Sequence, residues 1–297
     1  MELYKALCEI SGEGNVLKDE PMKMHTTFRI GGPADYFIQP SKIEEIRRIV
    51  AVCRECSTPY YIMGNGSNLL VGDKGFRGVI VQVFKQMSDV YADGERVYAQ
   101  AGALLSKTAA VACEASLTGM EFASGIPGTL GGALRMNAGA YGGCIADRLI
   151  YADVFRDGRL IRLEKDDLCF SYRKSGLKNG DFVAGAAFGL KRDAQEKIIS
   201  AMRALQLKRG QSQPGGRSAG SVYMRGDRPA GWYIEAAGLK GAREGGAVVS
   251  EKHANFIINT GGATAADVVK LMTRIEEKVK ELFNVELKRE IKLIGEF

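Results

Sequence analysis

Two stretches of this chain offer bare backbone of the kind that binds anions. The first is "GNGSN", Gly64 to Asn68. Successive N–H groups in such a run can form a nest for a diphosphate, with the Ser67 and Asn68 side chains as added donors. The second is "FASGIPGTLGGALRMNAGAYGG", Phe122 to Gly143, with seven glycines and one charged side chain, Arg135. Neither is a standard nucleotide loop. A Rossmann turn needs a third glycine where Leu69 stands, opening a helix, and a P-loop needs Lys-Ser/Thr after its glycines. Taken alone, "GNGSN" is more often a plain turn. Two glycine-rich regions together can close on one long ligand, since neither carries side chains that would hold it off. Tight helix packing around "GGALRMNAG" is the ordinary alternative, and both readings can hold at once.

Three polar side chains are candidates for further chemistry, although local sequence favours a structural role for each. Arg173 in "CFSYRKS" follows a predicted helix and precedes a glycine turn, where a surface ion pair is the default. Ser221 in "SAGSVY" suits the start of a strand. Glu290 sits in "LKREIKLIG" among Lys288, Arg289 and Lys292, the setting of an exposed, ion-paired strand. In a strand, Lys288 shares the face of Glu290 and Arg289 does not. The two histidines, His25 and His253, belong to no Ser-His-Asp, Cys-His or HExxH grouping, which disfavours hydrolases and metalloenzymes. "CREC", Cys53 to Cys56, has no second pair and no nearby His, so no metal site is expected. The six cysteines read as buried, reduced thiols of a cytosolic protein.

The elements that must position these residues follow from periodicity. "HTTFRIGGPADYFIQP" reads as a turn at Gly31–Pro33 and a strand. "SKIEEIRRIVAVC" reads as a helix with a Ser41/Glu44 capping box and Ile43, Ile46, Ile49, Val50 and Cys53 on one face. "YYIMGNGSNLLVGDKGFRGVIVQVF" predicts strand, glycine turn, loop, strand. A strand at Arg96–Ala101 and a helix through Leu104–Leu117 precede the long glycine stretch. "LIYADVFRDGRLIRL" predicts a hairpin turning at Asp157-Gly158, and "FVAGAAFGL" another strand. Ala194–Lys208 predicts a helix with Ile198, Ile199, Met202 and Leu205 on one face. "KRGQSQPGGRSAGSVYMRGDRP" breaks periodicity and reads as a domain connection or site loop. Then come a short helix near Trp232, a strand at Asn255–Ile258, a long helix capped by Thr264 with Asp267 three residues on, and a final strand "VELKREIKLIG". The fold class is α+β, with a lobe boundary near residue 200 and no internal repeat.

Composition bounds the rest. The 297 residues suggest two lobes or more, and 45% hydrophobic with 26% charged residues is ordinary for a globular protein. Glycine, at 37, is the outlier, and it clusters instead of repeating. The net charge of +6 comes from interspersed charges, without a block that would mark a nucleic-acid tail, and suits small polyanionic ligands. Neither a leader segment nor a membrane-length apolar run is read, so a cytoplasmic location without membrane insertion is expected.

In order along the chain, "TTFRIGGPADYF", "MGNGSNLLVGDKGFRGVIV", "GMEFASGIPGTLGGALRMNAGAYGG", "SYRKS", "SAGSVY", "AGWYIEAAGLKGAREGGAVVSEKHANFIIN" and "EIKLIG" closely resemble the UDP-N-acetylenolpyruvoylglucosamine reductase family. The resemblance runs from His25 to Gly295, with the compact ending of the shorter subtype that lacks a tyrosine-bearing loop. It implies a two-subdomain FAD-binding module of the vanillyl-alcohol-oxidase type over residues 1–84 and 85–196. A substrate lobe over 197–297 follows, its last strand able to return to the flavin site. It implies non-covalent FAD, NADPH as co-substrate and UDP-N-acetylglucosamine enolpyruvate as substrate. Gly64, Asn65, Gly66, Ser67, Asn68 and Leu69 match the flavin diphosphate segment. Ser124, Gly125, Ile126, Gly128, Thr129 and Gly132 match the second flavin segment. Tyr172 and Arg173 match a substrate-binding Tyr-Arg pair. Ser221 matches the proton-donating serine, Glu290 the C-terminal catalytic glutamate, and Asn255 in "SEKHANFIIN" is expected at the substrate. No metal, no nucleic-acid partner and, as the favoured state, a monomer complete the expectation.

Two positions depart from the pattern. Met224-Arg225-Gly226-Asp227 stands where relatives often have a basic residue followed by Asn-Pro, and Arg289 stands where many have proline. The implied chemistry is demanding in defined ways. A vinyl ether accepts hydride only if charge pushed toward its carboxyl end is stabilised, which a fixed guanidinium does in planar, bidentate fashion. The adjacent carbon then needs a proton from a group within hydrogen-bond reach. Glu290, as a neutral acid in a buried site, would donate a hydrogen bond to the carboxyl oxygen. An oxygen-using flavin oxidase of the same fold and a non-catalytic nucleotide-sugar binder are the alternatives.

Overall fold

Residues 2–297 are described by a computed structural model. Two compact units share the chain in interleaved segments. The first holds the residues up to Leu17, Phe37–Asn65 and Ile80–Arg209; the second holds Lys18–Tyr36, Gly66–Val79 and Gly210–Phe297. The expected partition into 1–84, 85–196 and 197–297 uses consecutive blocks and therefore cuts the chain differently. The lobe boundary expected near residue 200 compares with the passage from Arg209 to Gly210.

The first unit contains helices α1 (Leu3–Ser11), α2 (Ile43–Glu55), α3 (Leu105–Glu114) and α4 (Leu130–Arg135), and most of α5 (Gln195–Ser212). On α2 the residues Ile46, Ile49 and Cys53 are buried, as the 3.6-residue period requires. Burial pushes the Cys53 thiol up to about 12, so it behaves as a small apolar side chain. The expected capping box is displaced by one residue. The Ser41 N–H and hydroxyl both donate to Glu45, at 2.9 and 2.8 Å, while Glu44 pairs with Arg47. The cysteines are all free, yet only Cys53 and Cys113 are buried and Cys169 is exposed, which corrects the expectation that they are uniformly buried.

A five-stranded antiparallel sheet forms the first unit's frame. Its spatial order is Arg159–Glu164, Leu149–Arg156, Phe182–Gly189, Arg96–Gln100, Val90–Asp93. The hairpin turns where expected: Arg156 pairs with Arg159 across Asp157 and Gly158, which have φ of 48° and 81°. Two successive positive φ values define the type I′ turn that matches strand twist, and Gly158 meets that demand without steric cost. α4 packs on the Phe182–Gly189 strand, which sets the position of the long glycine stretch. α5 outruns its predicted end, continuing through Gly210 to Ser212, and only Ile198 of its expected apolar face is buried.

The second unit is built on α6 (Ala230–Ala236) and α7 (Ala265–Phe283), with a three-stranded antiparallel sheet of Arg243–Glu244, Ala247–Val249 and Ile257–Asn259. α7 starts as predicted. The Thr264 hydroxyl accepts from the Asp267 N–H at 3.0 Å and the Asp267 carboxylate accepts from the Thr264 N–H at 3.0 Å. These main-chain bonds hold the Asp267 carboxyl below its ordinary value. Val268, Leu271, Met272, Ile275 and Val279 carry the stripe into a core shared with Tyr223, Ile234, Val249, Ile257 and Ile291. The predicted final strand is much shorter than expected. Regular pairing is confined to Lys292–Ile294, which runs parallel to Leu69–Val71. Among the described residues no helix is long and apolar enough to cross a membrane.

Candidate functional site

The segment Gly64–Asn68 is tied down at each end of its run by the amide of an asparagine. In the first unit, the Asn65 side chain donates to the Pro127 carbonyl at 3.0 Å, joining "GNGSN" to "SGIPGTLGG". In the second, the Asn68 side chain donates to the Glu290 carbonyl at 3.2 Å, and the Lys292 N–H donates to the Asn68 carbonyl at 2.9 Å. The sequence brings neither pair together; 62 and 222 residues separate the partners.

The donor set fits a diphosphate. Among the described residues every peptide bond is trans, so an N–H points opposite to the carbonyl it shares a plane with. The Gly64 carbonyl accepts from the Gln82 side chain at 3.3 Å, and the Gly128 carbonyl from the Leu105 N–H at 3.0 Å. With Pro127 held by Asn65, the N–H groups of Asn65, Gly128 and Thr129 are all turned away from these protein partners. In the second unit the Gly66 carbonyl accepts from the Thr27 N–H at 3.3 Å, which turns the Ser67 N–H away from Thr27, and Gly66 has φ of 64°. Each unit thus carries neutral backbone donors with their carbonyls tied back, the chemistry by which nests bind phosphate.

Close approach explains Gly64 itself. A methyl group there would overlap the Thr129 hydroxyl, so the two glycine-rich segments of the first unit meet at a point where only glycine fits. Gly64→Ala should therefore lower flavin affinity about tenfold or more, an overpacking cost of order 1–3 kcal/mol. Titration of the apoprotein with FAD, followed by flavin fluorescence, checks this. Gly132, by contrast, is exposed, and a methyl group there would meet only the Thr129 hydroxyl, at 3.8 Å. Gly125 lies against Arg209, whose side-chain carbon would stand 3.1 Å from a methyl group at that position. Burial depresses the Arg209 guanidinium's pKa. Ser124 is buried and its hydroxyl donates to the Glu121 carbonyl at 2.8 Å, so it braces the loop from within. Ile126 is half-buried.

Arg173 is held by a loop, and only a single 3₁₀ turn at Asp166–Leu168 precedes it where a helix was predicted. Its backbone is left-handed, φ 56°, and its guanidinium donates to the Gly139 carbonyl at 3.2 Å while lying 5.3 Å from the ring centre of exposed Tyr172. The loop is clamped from the glycine stretch. Arg135 donates to the Asp181 carbonyl at 2.8 Å, Asn137 to the Ser171 carbonyl at 3.1 Å, and Ser175 to the Arg135 carbonyl at 3.0 Å. Burial would raise the Asp181 carboxyl, but bonds from Arg156 at 3.0 and 2.6 Å and from the Lys178 N–H outweigh it and hold the carboxyl low. Sequence reasoning missed Arg135, Asn137, Ser175 and Asp181. The one available signal was Arg135, a lone charge in a stretch otherwise without any.

The second unit gathers the remaining candidates. Thr27 donates from its hydroxyl to the Ser218 carbonyl at 2.7 Å while its N–H holds Gly66. Ser221 is half-buried and bridges to Phe256. The Glu290 N–H donates to the Val222 carbonyl at 2.7 Å, one residue beyond Ser221, and Glu290 is 9% exposed. Glu290 is thus buried, unlike the exposed strand position that local sequence favoured. Arg289 is paired with Glu276 of α7 at 2.6 and 2.8 Å and Lys288 is exposed, so strict alternation of faces does not hold here. Asn255 is buried with its amide on the main chain of Tyr223.

Known proteins share this chain's sequence pattern and fold. The profile of an FAD-binding domain matches residues 34–164. The profile of the UDP-N-acetylenolpyruvoylglucosamine reductase C-terminal domain matches residues 212–294. A grass pollen allergen with glucose dehydrogenase activity shares the fold, with a TM-score of 0.53 and 15% identity over 65% of this chain and 45% of that one. The molecule is an FAD-binding flavoprotein of the vanillyl-alcohol-oxidase type, α+β in class, with an added C-terminal domain. A UDP-N-acetylenolpyruvoylglucosamine reductase from Caldanaerobacter subterraneus is 46% identical over 301 residues, covering 99% of this chain and 98% of its own. The crystal structure of the reductase of that name from Thermus caldophilus has a TM-score of 0.81 and 35% identity over 92% of this chain and 97% of that one. The chain belongs to the UDP-N-acetylenolpyruvoylglucosamine reductase family.

Proposed function

We propose that this chain reduces UDP-N-acetylglucosamine enolpyruvate to UDP-N-acetylmuramate, with NADPH as reductant and non-covalent FAD as carrier. The reaction supplies peptidoglycan precursor, and so serves cell-wall building, cell shape and division. The observation that carries the reading is the double anchoring of "GNGSN": Asn65 to the second flavin segment and Asn68 to Glu290. The first bond lies within the first unit and the second within the second, and each ties the run to a segment that the reading assigns to flavin binding or to catalysis. Bound FAD supplies hydride carriage between NADPH and the enolpyruvyl group.

The chain's own residues supply position and charge. Gly64–Leu69 and Ser124–Gly132 hold the flavin by backbone donors. Arg173, with Tyr172 beside it, takes the substrate carboxylate and stabilises charge that builds there as the terminal carbon is reduced. Ser221 gives the proton to the adjacent carbon and is recharged through water. Glu290, buried next to the Val222 carbonyl, hydrogen-bonds the enolic carboxyl end. The net charge of +6 favours three polyanionic ligands. The cytoplasm is the proposed location and a monomer the proposed assembly.

The purified protein should be yellow after exposure to FAD, bleach with one equivalent of NADPH, and consume NADPH continuously only when the enolpyruvyl substrate is present. A protein that takes up no FAD would falsify the proposal. Faster reoxidation by oxygen than by substrate would mark an oxidase, and UDP-sugar binding without flavin a binder.

A further inference from the structure

Asn255, expected at the substrate, has its carboxamide committed to main chain. Its Oδ1 accepts from the Tyr223 N–H at 2.9 Å and its Nδ2 donates to the Tyr223 carbonyl at 2.8 Å. This is the exchange of two hydrogen bonds that a residue in an antiparallel ladder makes with its opposite number, performed here by a side chain. The Asn255 main-chain carbonyl accepts from the Val222 N–H at 2.9 Å, and Ser221 bridges Phe256. The other edge of the run Ser221–Met224 is bonded as well. Val222 accepts from the Glu290 N–H at 2.7 Å, Met224 donates to Lys288 at 2.8 Å, and Tyr223 bridges Arg289. Tyr223 is fixed below by its hydroxyl, which donates to the Met272 carbonyl of α7 at 3.0 Å.

Ser221–Tyr223 is therefore a rail with Asn255–Phe256 on one side and Lys288–Glu290 on the other. Without the Asn255 carboxamide only the bond from the Val222 N–H to the Asn255 carbonyl and the Ser221 bridge remain on that side. The direction of the Ser221 hydroxyl, and its offset from Glu290, depend on that rail. We propose that Asn255 is a positioning residue, whose carboxamide clamps Tyr223 and so aims the Ser221 hydroxyl at the carbon it protonates. The inference rests on the proton-donor role assigned to Ser221 above.

Asn255→Asp gives a test within one protein. A protonated carboxyl accepts from the Tyr223 N–H and donates to the Tyr223 carbonyl, as the amide does; a carboxylate sets an anion against that carbonyl. Reoxidation of reduced flavin by the enolpyruvyl substrate should be near wild type at low pH. It should fall at least about tenfold as the pH rises through the buried carboxyl's pKa, because only the form present below that pKa is competent. Flavin reduction by NADPH should show no such limb. The titratable and charged groups around the rail are His253, whose Nδ1 accepts from the Asn255 N–H at 3.2 Å, Glu290 beyond Val222, Lys288 beyond Met224, and the Arg289–Glu276 pair beyond Tyr223. Burial lowers the His253 pKa. All are present in the wild type, whose own profile is the baseline.

Asn255→Leu removes both bonds at similar volume. It should slow reoxidation by substrate about tenfold to a hundredfold at every pH, with a larger solvent deuterium isotope effect and unchanged flavin content. If Asn255→Leu does not fold, the Asn255→Asp profile decides. A flat Asn255→Asp profile, or equal loss of both half-reactions, overturns the proposal. Impaired Ser221→Ala with unimpaired Asn255→Asp sinks the inference alone; unimpaired Ser221→Ala sinks the assignment of Ser221 and the inference with it.

Discussion

Arg173→Ala should cut substrate turnover by about a hundred- to a thousandfold while flavin reduction by NADPH stays within about twofold of wild type. The expectation follows from where charge moves. Hydride arriving at the terminal carbon pushes electron density toward the carboxyl end, and a donor aimed at developing charge is worth roughly 3–4 kcal/mol in such sites. The guanidinium is pre-oriented by the Gly139 carbonyl at 3.2 Å and by a left-handed backbone at φ 56°, so little ordering remains to be done at the moment of reaction. Arg173→Lys keeps the charge but loses the planar fork, and should recover only part of the rate. Stopped-flow measurement of each half-reaction separates the outcomes. Unchanged turnover defeats the assigned role, and equal loss in both half-reactions makes Arg173 a residue of the loop's fold.

The loop that presents Arg173 shows what the sequence could and could not disclose. The glycine stretch was legible as a backbone surface, and its single charge, Arg135, stood out. Its use did not. Arg135 reaches Asp181 and Lys178 carbonyls more than 40 residues on, and no periodicity encodes a side chain that clamps a distant loop. Local signals worked where local physics decides. Thr264 and Asp267 cap α7, and Asp157-Gly158 turns its hairpin, because each satisfies its neighbours within four residues. They failed where a distant partner decides. "VELKREIKLIG" alternates well enough to read as one strand, yet Glu290 and Ile291 are buried in succession and break the alternation. What overrides it is the rail at Ser221–Tyr223 and the Asn68 amide, both supplied from elsewhere in the chain.

The candidate segments were legible by type, whereas their local geometry was not. "GNGSN", "SGIPGTLGG", "SAGSVY" and "REIKLIG" are each short enough to be recognised by type. Within each unit they are held by polar residues that look ordinary in sequence because each makes one or two bonds to main chain: Gln82 and Asn65 in the first, Thr27 and Asn68 in the second. Asn255 illustrates the limit. A polar residue in a distinctive motif suggested ligand contact, whereas its amide is engaged by Tyr223.

Ser221→Ala should abolish most of the substrate half-reaction and leave the NADPH half-reaction intact. A serine hydroxyl is a weak acid, so its value lies in location: general acid transfer from a positioned group contributes about a hundred- to ten-thousandfold. Removing one oxygen from a half-buried position leaves the main-chain rail untouched, since the bridge to Phe256 and the Val222 bonds use backbone atoms alone. The fold should survive, and flavin content should match wild type. Ser221→Cys keeps a proton at nearly the same place on a larger, more acidic atom and should retain a measurable part of the rate, with a different solvent isotope effect. Substrate-driven reoxidation at wild-type speed in Ser221→Ala would remove Ser221 from the chemistry. Parallel loss of flavin would instead make it a structural residue. Only a loss confined to the second half-reaction, partly restored by cysteine, is what a proton donor on a rigid rail requires.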